Sequence, residues 1–169
     1  PSKIYQGITT EITGEGESVA PLNEAVIRER AAQYRHLHID ADWRSFGQYF
    51  ARLEKQGIGI NVANYLGATQ VRELVLGYAD VQPTAAQLEA MRQVVREAMK
   101  DGAVGLSSSL EYPPAPYART DELIALAAKT LDCEGKTAHG HWIYRDAPTG
   151  LWVVSDATMA RLGGMLAAT

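Results

Sequence analysis

Short segments rich in β-branched residues alternate along the chain with longer segments whose apolar residues fall on one helical face. Residues 8–13 are mostly β-branched and are followed by Gly14 and Gly16, which predicts a buried strand that runs into a loop. Residues 58–63 and 103–107 are short and apolar and predict two further strands. The pattern therefore predicts a chain in which strands and helices alternate.

Helix caps and apolar spacing predict four helices around these strands. The expected N-caps are Asn23, Asp42, Thr84 and Thr120. The first helix is expected over residues 25–34, the second up to Gly57, and the last over residues 120–131. The third has an additional signal, because Thr84 and Gln87 have the spacing of a capping box ahead of a buried stripe. That stripe consists of Leu88, Met91, Val95 and Met99.

Strands that alternate with helices through short connections imply parallel pairing, because a crossover helix is the usual link between parallel neighbours. A doubly wound sheet and a barrel both fit this pattern. In both architectures the chemistry lies beyond the carboxyl ends of the strands. Small or polar residues follow the predicted strands at 14–18, 61–64 and 107–111, so these loops are the expected place of a functional site.

Composition narrows the possible classes of function. The 169 residues include 46% hydrophobic and 21% charged residues with a net charge of −4, which argues against a binder of nucleic-acid phosphates. Cys133 is the single cysteine and cannot form an internal disulfide, and no apolar run is long enough to span a bilayer. We expect a soluble, cytoplasmic protein without nucleic-acid or membrane partners. Because the chain begins at Pro1 without a Met or a signal peptide, we expect it to be processed or cut from a longer protein.

Three ordered motifs carry a family resemblance. Residues 6–14 (QGITTEITG), 57–63 (GIGINVA) and 101–113 (DGAVGLSSSLEYP) resemble consecutive signatures of the N-acyl-D-amino-acid deacylases, or D-aminoacylases, of the amidohydrolase superfamily. The resemblance implies a partial TIM-like (β/α) barrel over residues 1–131, with parallel strands that alternate with helices. It also implies a hydrolase with zinc or another divalent metal that cleaves the amide of N-acyl-D-amino acids or related small amides.

The same resemblance implies that part of the active site is missing. Family members carry a His-x-His metal-binding pair upstream of the first motif, where this chain has only residues 1–6. Their catalytic aspartate lies near the last barrel strand, beyond the end of this chain. We therefore expect the chain alone to be inactive as a hydrolase, and the alternative is a non-catalytic fragment or a metal-binding module.

Candidate metal ligands lie in two places. In the family a metal-binding cysteine follows the first strand, and Gly16 stands at that place, so Glu15 or Glu17 is the candidate substitute. The alternative is that both glutamates are merely solvated. The family also places a ligand histidine on a later strand, where His139 and His141 are found. His36 and His38 have the same spacing but lie outside that context, and we expect them to be structural.

Two residues are candidate substrate contacts. The resemblance places Tyr112 on the loop beyond a barrel strand, where it would line the pocket, although packing against Pro113 and Pro114 is the alternative. Ser107 ends the third predicted strand and is the second candidate. It lies outside any Gly-x-Ser-x-Gly motif, so the sequence does not support a nucleophile elbow, and a polar strand end is the alternative.

The family pattern ends after residue 131, and residues 132–169 form a divergent tail of uncertain structure. Trp142, Tyr144 and Trp152 are expected to cover exposed core there. The recognisable strands are too few to close an eight-stranded ring, so at least two edges are left over. We expect a homo-oligomer that pairs through edge strands, with residues 142–154 at or near the contact.

Overall fold

The computed structural model describes residues 2–131 and the backbone of two later strands, Ile143–Arg145 and Trp152–Val154. The chain divides into two units, Pro1–Cys133 and Glu134–Thr169. In the second unit the two strands pair antiparallel, with Ile143 opposite Val154. The first unit contains the three family motifs.

Parallel strands form the centre of the first unit. They are β1 (Thr10–Thr13), β2 (Asn61–Asn64), β3 (Leu66–Gly67) and β4 (Leu106–Ser107), and the strands of the second unit are then β5 and β6. β1 pairs with β2 in register Thr13 to Asn64, and β3 pairs with β4 in register Leu66 to Leu106. Both pairings are parallel, which confirms the predicted mixed α/β architecture.

Residues 61–67 run between the first and the last strand of this unit. A single residue, Tyr65, separates β2 from β3, and its N–H donates to the Thr13 carbonyl at 2.8 Å. The next N–H, of Leu66, donates to the Gly105 carbonyl at 2.9 Å on the other side. The strands are shorter than predicted, because residues 8–9, 58–60 and 103–105 lie outside the ladders.

Seven helices surround these strands in the part of the chain that the structure describes. They are α1 (Ser2–Tyr5), α2 (Glu24–Glu29), α3 (Ala31–His36), α4 (Phe46–Gln56), α5 (Ala68–Leu76), α6 (Ala85–Lys100) and α7 (Thr120–Leu131), with a short 3₁₀ helix at Ala115–Tyr117. The single helix expected over residues 25–34 is instead two, which meet at Arg30. Helix α5 was not predicted. No helix in the described ranges has the length and apolarity needed to cross a bilayer.

The helix caps test the local predictions. Asn23 accepts the Val26 N–H at 2.9 Å, and Thr84 and Gln87 form the reciprocal capping box, so both predictions are confirmed. The prediction that Asp42 caps α4 is wrong. Ser45 directly precedes α4 and accepts the Gln48 N–H at 3.4 Å, whereas Asp42 forms an ion pair with Arg52. A cap must be the residue that flanks the first helical turn, and Asp42 lies too far upstream.

The core lies between the parallel strands and helices α5, α6 and α7. Leu66 from β3 is fully buried together with Val71 of α5, Met91 and Val95 of α6, and Leu126 of α7. Met91 and Val95 belong to the apolar stripe that the sequence predicts for this helix. Burial of this kind is the main favourable contribution to folding, and it fixes the strand ends relative to the helices that follow them.

Candidate functional site

The loop after β1 lies directly on the end of the neighbouring strand. A Cβ atom on Gly14 would lie 2.2 Å from the carbonyl oxygen of Tyr65. A Cβ atom on Gly67 would lie 1.9 Å from the carbonyl oxygen of Gly16. No side chain fits at either position, so glycine allows the two backbones to approach each other. The loop after β1 therefore packs against residues 65–67, at the end of β2 and in β3.

Ser107 connects the third strand end to the same loop. Its hydroxyl donates to the Gly14 carbonyl at 2.5 Å and accepts the Gly16 N–H at 3.2 Å. The Leu66 carbonyl lies 3.5 Å from the same oxygen. The hydroxyl of this candidate substrate contact is therefore engaged within the chain, between the ends of β1, β3 and β4.

Two further hydroxyls join these strand ends. Ser18 is buried, and its hydroxyl accepts the Gly67 N–H at 3.3 Å and donates to the Ala20 carbonyl at 2.7 Å. The Thr13 hydroxyl donates to Oδ1 of Asn64, which is fully buried. Buried polar groups that are hydrogen-bonded specify one arrangement of the backbone. The strand ends therefore form one connected polar layer.

The two candidate acids of the first loop are exposed. Glu17 lies 3.5 Å from Nη2 of Arg30 and has 56% of its side-chain surface exposed. In the ranges that the structure covers, no three His, Cys, Asp or Glu side chains come together to hold a metal ion. Glu15 and Glu17 therefore do not fit a metal site by themselves. His139 and His141, the other candidate ligands, lie outside the described residues.

His36 and His38 lie at the end of a short helix. Helix α3 ends at His36, and His38 has a positive φ of 54°. Both side chains are exposed. The strand alternation that would aim residues 36 and 38 at one ion does not exist in this segment.

Arg30 is the centre of a polar network that the sequence did not reveal. Its Nη2 donates to Oε1 of Gln70 at 2.7 Å and to Oε2 of Glu73 at 2.6 Å. Tyr78 completes the network, because its hydroxyl donates to Oε1 of Glu73 at 3.1 Å. Gln70 and Glu73 belong to α5, so the network ties this helix to the junction of α2 and α3. Through Glu17 it also reaches the loop after β1.

Burial and charge act in opposite directions within this network. Burial raises the pKa of Glu73, and the positive charge of Arg30 offsets only part of that effect. Burial alone would lower the pKa of Arg30, but the carboxylates of Glu73 and Glu17 together raise it. Burial and the charge of Glu73 raise the pKa of Tyr78 from 10.0 to about 12. Glu73 thus lies between the guanidinium of Arg30, at 2.6 Å, and the hydroxyl of Tyr78, at 3.1 Å.

We expect Glu73→Gln to lower the pKa of Tyr78 from its value of about 12, because the substitution removes a negative charge beside the hydroxyl. Because the Tyr78 pKa is higher in the folded state, that state binds the phenolic proton more tightly than the unfolded state does. The resulting contribution to the free energy of unfolding is complete below pH 10.0 and is lost as the pH rises through about 12. A tyrosine-labelled NMR titration measures the pKa, and Tyr78→Phe assigns the resonance. An unchanged Tyr78 pKa in the Glu73→Gln variant would show that Glu73 does not act on the hydroxyl.

A second buried ion pair lies between α5 and α7. Nη1 of Arg72 lies 2.5 Å from Oε2 of Glu122, and their side chains are 1% and 3% exposed. Nη2 of Arg72 also donates to the Val81 carbonyl. The two partners lie on α5 and α7, and the chain between these helices contains α6, β4 and Tyr112. The pair therefore joins the two helices that flank this stretch of chain.

Tyr112 lies on the surface of the loop after β4. Its residue surface is 65% exposed, while Pro114 is fully buried. The Tyr112 carbonyl accepts the Ala115 N–H at 3.0 Å, which fixes the backbone at the start of the 3₁₀ helix. The aromatic ring is thus accessible beyond a strand end, at the place that the sequence indicated.

A groove of about 410 Å³ lies elsewhere, between the start of α2 and helices α4, α5 and α6. Apolar side chains form most of its wall, including Pro21, Phe46, Leu74 and Val94. Of the predicted site residues in the described part, none lines this groove. The groups suited to chemistry lie at the strand ends, and we therefore place the candidate site there.

Comparison with known proteins relates this chain to one family of enzymes. No family model matches the sequence. D-aminoacylase of Alcaligenes xylosoxydans xylosoxydans is 32% identical over 145 residues, which cover 82% of this chain and 27% of that protein. N-acyl-D-aspartate deacylase of the same organism is 34% identical over 123 residues, which cover 72% of this chain and 24% of that protein.

The same family appears among solved structures. The structure of N-acyl-D-glutamate deacylase from Bordetella bronchiseptica, complexed with zinc and a phosphonate inhibitor, matches with a TM-score of 0.64 and 33% identity. The match covers 77% of this chain and 27% of that one. This chain belongs to the N-acyl-D-amino-acid deacylase family. It spans about a quarter of the deacylases it matches, 27% and 24% of the curated relatives.

Membership of the deacylase family confirms the resemblance drawn from the three motifs. Sequence reasoning also identified the strand-end loops, but it missed most of the groups that hold them. Ser18 and Asn64 carry no motif, although each lies within a loop or strand end that the pattern singled out. Arg30 gave no signal, because its partners lie on a helix that was not predicted.

Proposed function

We propose that this chain is a segment of a metal-dependent amidohydrolase that cleaves N-acyl-D-amino acids. The family match supports the reaction class, since the relatives are named for D-amino-acid deacylation. The observation that carries the proposal is the convergence of three parallel strand ends on one polar layer, closed by Ser107, Gly14 and Gly67. In α/β folds with parallel strands, this end is where active sites form.

We also propose a partial barrel for residues 1–131. The parallel order of β1, residues 61–67 and β4 supports successive strands of a TIM-like barrel, with helices between them. The remaining strands would come from sequence outside this segment, because the chain spans about a quarter of its relatives. Residues 132–169 are the proposed divergent tail.

The proposed site residues keep distinct roles. Tyr112, accessible beyond β4, is the proposed substrate contact. Glu15, Glu17, His139 and His141 remain the proposed contributions of this chain to metal binding. If these residues held a divalent metal, it would supply Lewis-acid chemistry toward the substrate amide. Among the described residues no three His, Cys, Asp or Glu side chains come together to hold a metal ion, and we propose that further ligands and the proton-transfer group lie outside them.

We expect the isolated chain to release no D-amino acid from N-acyl-D-amino acids above background, because catalysis needs a complete metal site and a placed acid–base group, and the described residues do not form such a metal site. The assay adds zinc to purified chain and compares D and L substrates with and without a chelator. Chelator-sensitive, D-selective turnover by the isolated chain would show that the site is complete.

Measuring the zinc content of the same preparation tests the alternative function, a metal-binding module without hydrolase activity. His139→Ala with His141→Ala should remove any stoichiometric zinc. His36→Ala with His38→Ala is the matched control and should leave the zinc content unchanged. Equal zinc in both double variants would remove His139 and His141 from the proposed ligands.

Unpaired strand edges support a homo-oligomer. Among the described strands, β1 pairs only with β2 and β4 only with β3, so each has one edge that no other described strand covers. Such edges favour pairing with another chain. We expect light scattering at micromolar concentration to report a dimer or a larger assembly, with residues 142–154 at or near the contact. A well-folded monomer would contradict this.

A further inference from the structure

One hydroxyl spans the turn that carries Glu15 and Glu17. Ser107 Oγ donates its proton to the Gly14 carbonyl at 2.5 Å and accepts the Gly16 N–H at 3.2 Å. These groups are the main-chain atoms on either side of Glu15. A hydroxyl has a single proton, so a substrate carbonyl that used Ser107 as a donor would have to displace the Gly14 carbonyl.

The side of the turn that faces β4 has no room for a side chain at its centre. Gly16 is buried with a φ of +71°, and a Cβ there would lie 2.8 Å from Cβ of Ser109. Ser107 and Ser109 therefore hold the backbone of the turn from one side. The side chains that the turn presents outward are Glu15 and Glu17, which are both exposed.

The second glutamate of the turn is also restrained from the side of the helices. Glu17 lies 3.5 Å from Arg30, which is itself held by Gln70 and Glu73. This contact is long and half-exposed, so its energy is small compared with the hydrogen bonds of the buried backbone. Within the turn the Glu17 N–H donates to the Glu15 carbonyl at 2.8 Å. The contacts that hold the turn to the neighbouring strands are those of the Ser107 hydroxyl and of the glycines.

We propose that Ser107 is a positioning residue, whose hydroxyl fixes the turn that carries Glu15 and Glu17, and that it does not contact the substrate. This proposal rests on the deacylase function only in the role that it gives to the turn. The hydrogen bonds of the Ser107 hydroxyl are observed in this chain and do not depend on that function. Removing the hydroxyl leaves a carbonyl and an N–H of the turn without partners, and the turn opens.

Hydrogen exchange at the Gly16 amide tests this directly in the full chain, without metal or substrate. Ser107→Ala should raise the exchange rate of Gly16 about fivefold or more, the factor that corresponds to one ordinary hydrogen bond. Ser107→Thr should restore protection, whereas Ser107→Val, which has the same shape without a hydroxyl, should not. Ser108→Ala is the matched control on the adjacent residue and should leave the rate unchanged.

The Val95 amide in α6 serves as the reference for global unfolding. A selective rise in the exchange rate at Gly16 supports the proposal, and an equal rise at Gly16 and Val95, or no rise at all, would overturn it.

A second readout uses a deacylase that carries this segment in place of its own. There Ser107→Ala should lower kcat with KM little changed, and a raised KM with unchanged kcat would make Ser107 a substrate contact. Because the exchange experiment needs no turnover, failure of the deacylase function is distinguishable from failure of the positioning role.

Discussion

Replacing Arg72 by Met is expected to destabilise the first unit by about 3 to 5 kcal/mol, because the Glu122 carboxylate is then left buried without a partner. The pair is 2.5 Å apart with side chains 1% and 3% exposed, so water cannot take the place of the lost guanidinium. Glu122→Leu should cost a similar amount by leaving the guanidinium unpaired. Urea unfolding at neutral pH measures both effects.

The double variant separates the cost of an unpaired charge from the energy of the pair. Arg72→Met together with Glu122→Leu should recover most of the lost stability, since an apolar pair of similar volume often replaces a buried ion pair without loss. Lys100→Met is the matched control, because Lys100 and Glu97 form a pair that is 53% and 52% exposed, and we expect a change below about 0.5 kcal/mol. A small effect of Arg72→Met, or additive losses in the double variant, would mean that the pair is not the source of stability.

The position of this pair connects stability to the candidate site. Arg72 lies on the helix that begins directly after β3, and Glu122 lies in the first turn of α7. Between the two helices along the chain come α6, β4 and the loop with Tyr112. Loss of the pair should therefore loosen the loop after β4 before it affects the capped helix α6.

Features with a local cause were predictable from the sequence. The capping box of Thr84 and Gln87 depends on residues within one turn, and it was correctly predicted. The stop of the first strand at Gly14 and the end of α4 at Gly57 were found for the same reason. Parallel pairing followed from the alternation of short strands and helices, which is a property of the whole pattern rather than of one residue.

Features with a distant cause were not predictable. Helix α5 begins at Ala68 without a side-chain cap and follows β3 with no loop between them, so no boundary signal separates it from the strand. Arg30 and Glu73 are 43 residues apart, and Arg72 and Glu122 are 50 apart. A periodic pattern shows which face of a helix is buried, but it does not name the partner across the core.

Gly67 illustrates the same limit within the site. The sequence drew attention to Gly14 and Gly16, because they follow a strand, but Gly67 lies within an apolar run and gave no reason to expect a close contact. A Cβ at this position would lie 1.9 Å from the Gly16 carbonyl oxygen, so the need for glycine here depends on a distant loop upstream. A glycine that permits two backbone segments to approach each other can be recognised only when the positions of both segments in the fold are known.

The deacylase proposal predicts an all-or-none change in activity when this segment is joined to the rest of a relative, because the match covers only 27% of D-aminoacylase. The family resemblance implies that the relative then supplies the upstream metal-binding pair and the catalytic aspartate. The D-aminoacylase of Alcaligenes xylosoxydans xylosoxydans matches over 82% of this chain, which defines the segment to be exchanged. The chimera then contains the residues of this chain at the strand ends and those of the relative elsewhere.

The most direct measurement is the release of free D-amino acid from an N-acyl-D-amino acid by this purified chimera, with the relative lacking the segment as the control. We predict turnover by the chimera that prefers D over L substrates and stops on addition of a chelator, with none by the deleted control. A chimera that is folded and loaded with zinc but does not hydrolyse the substrate would contradict the proposal that this segment belongs to a working deacylase.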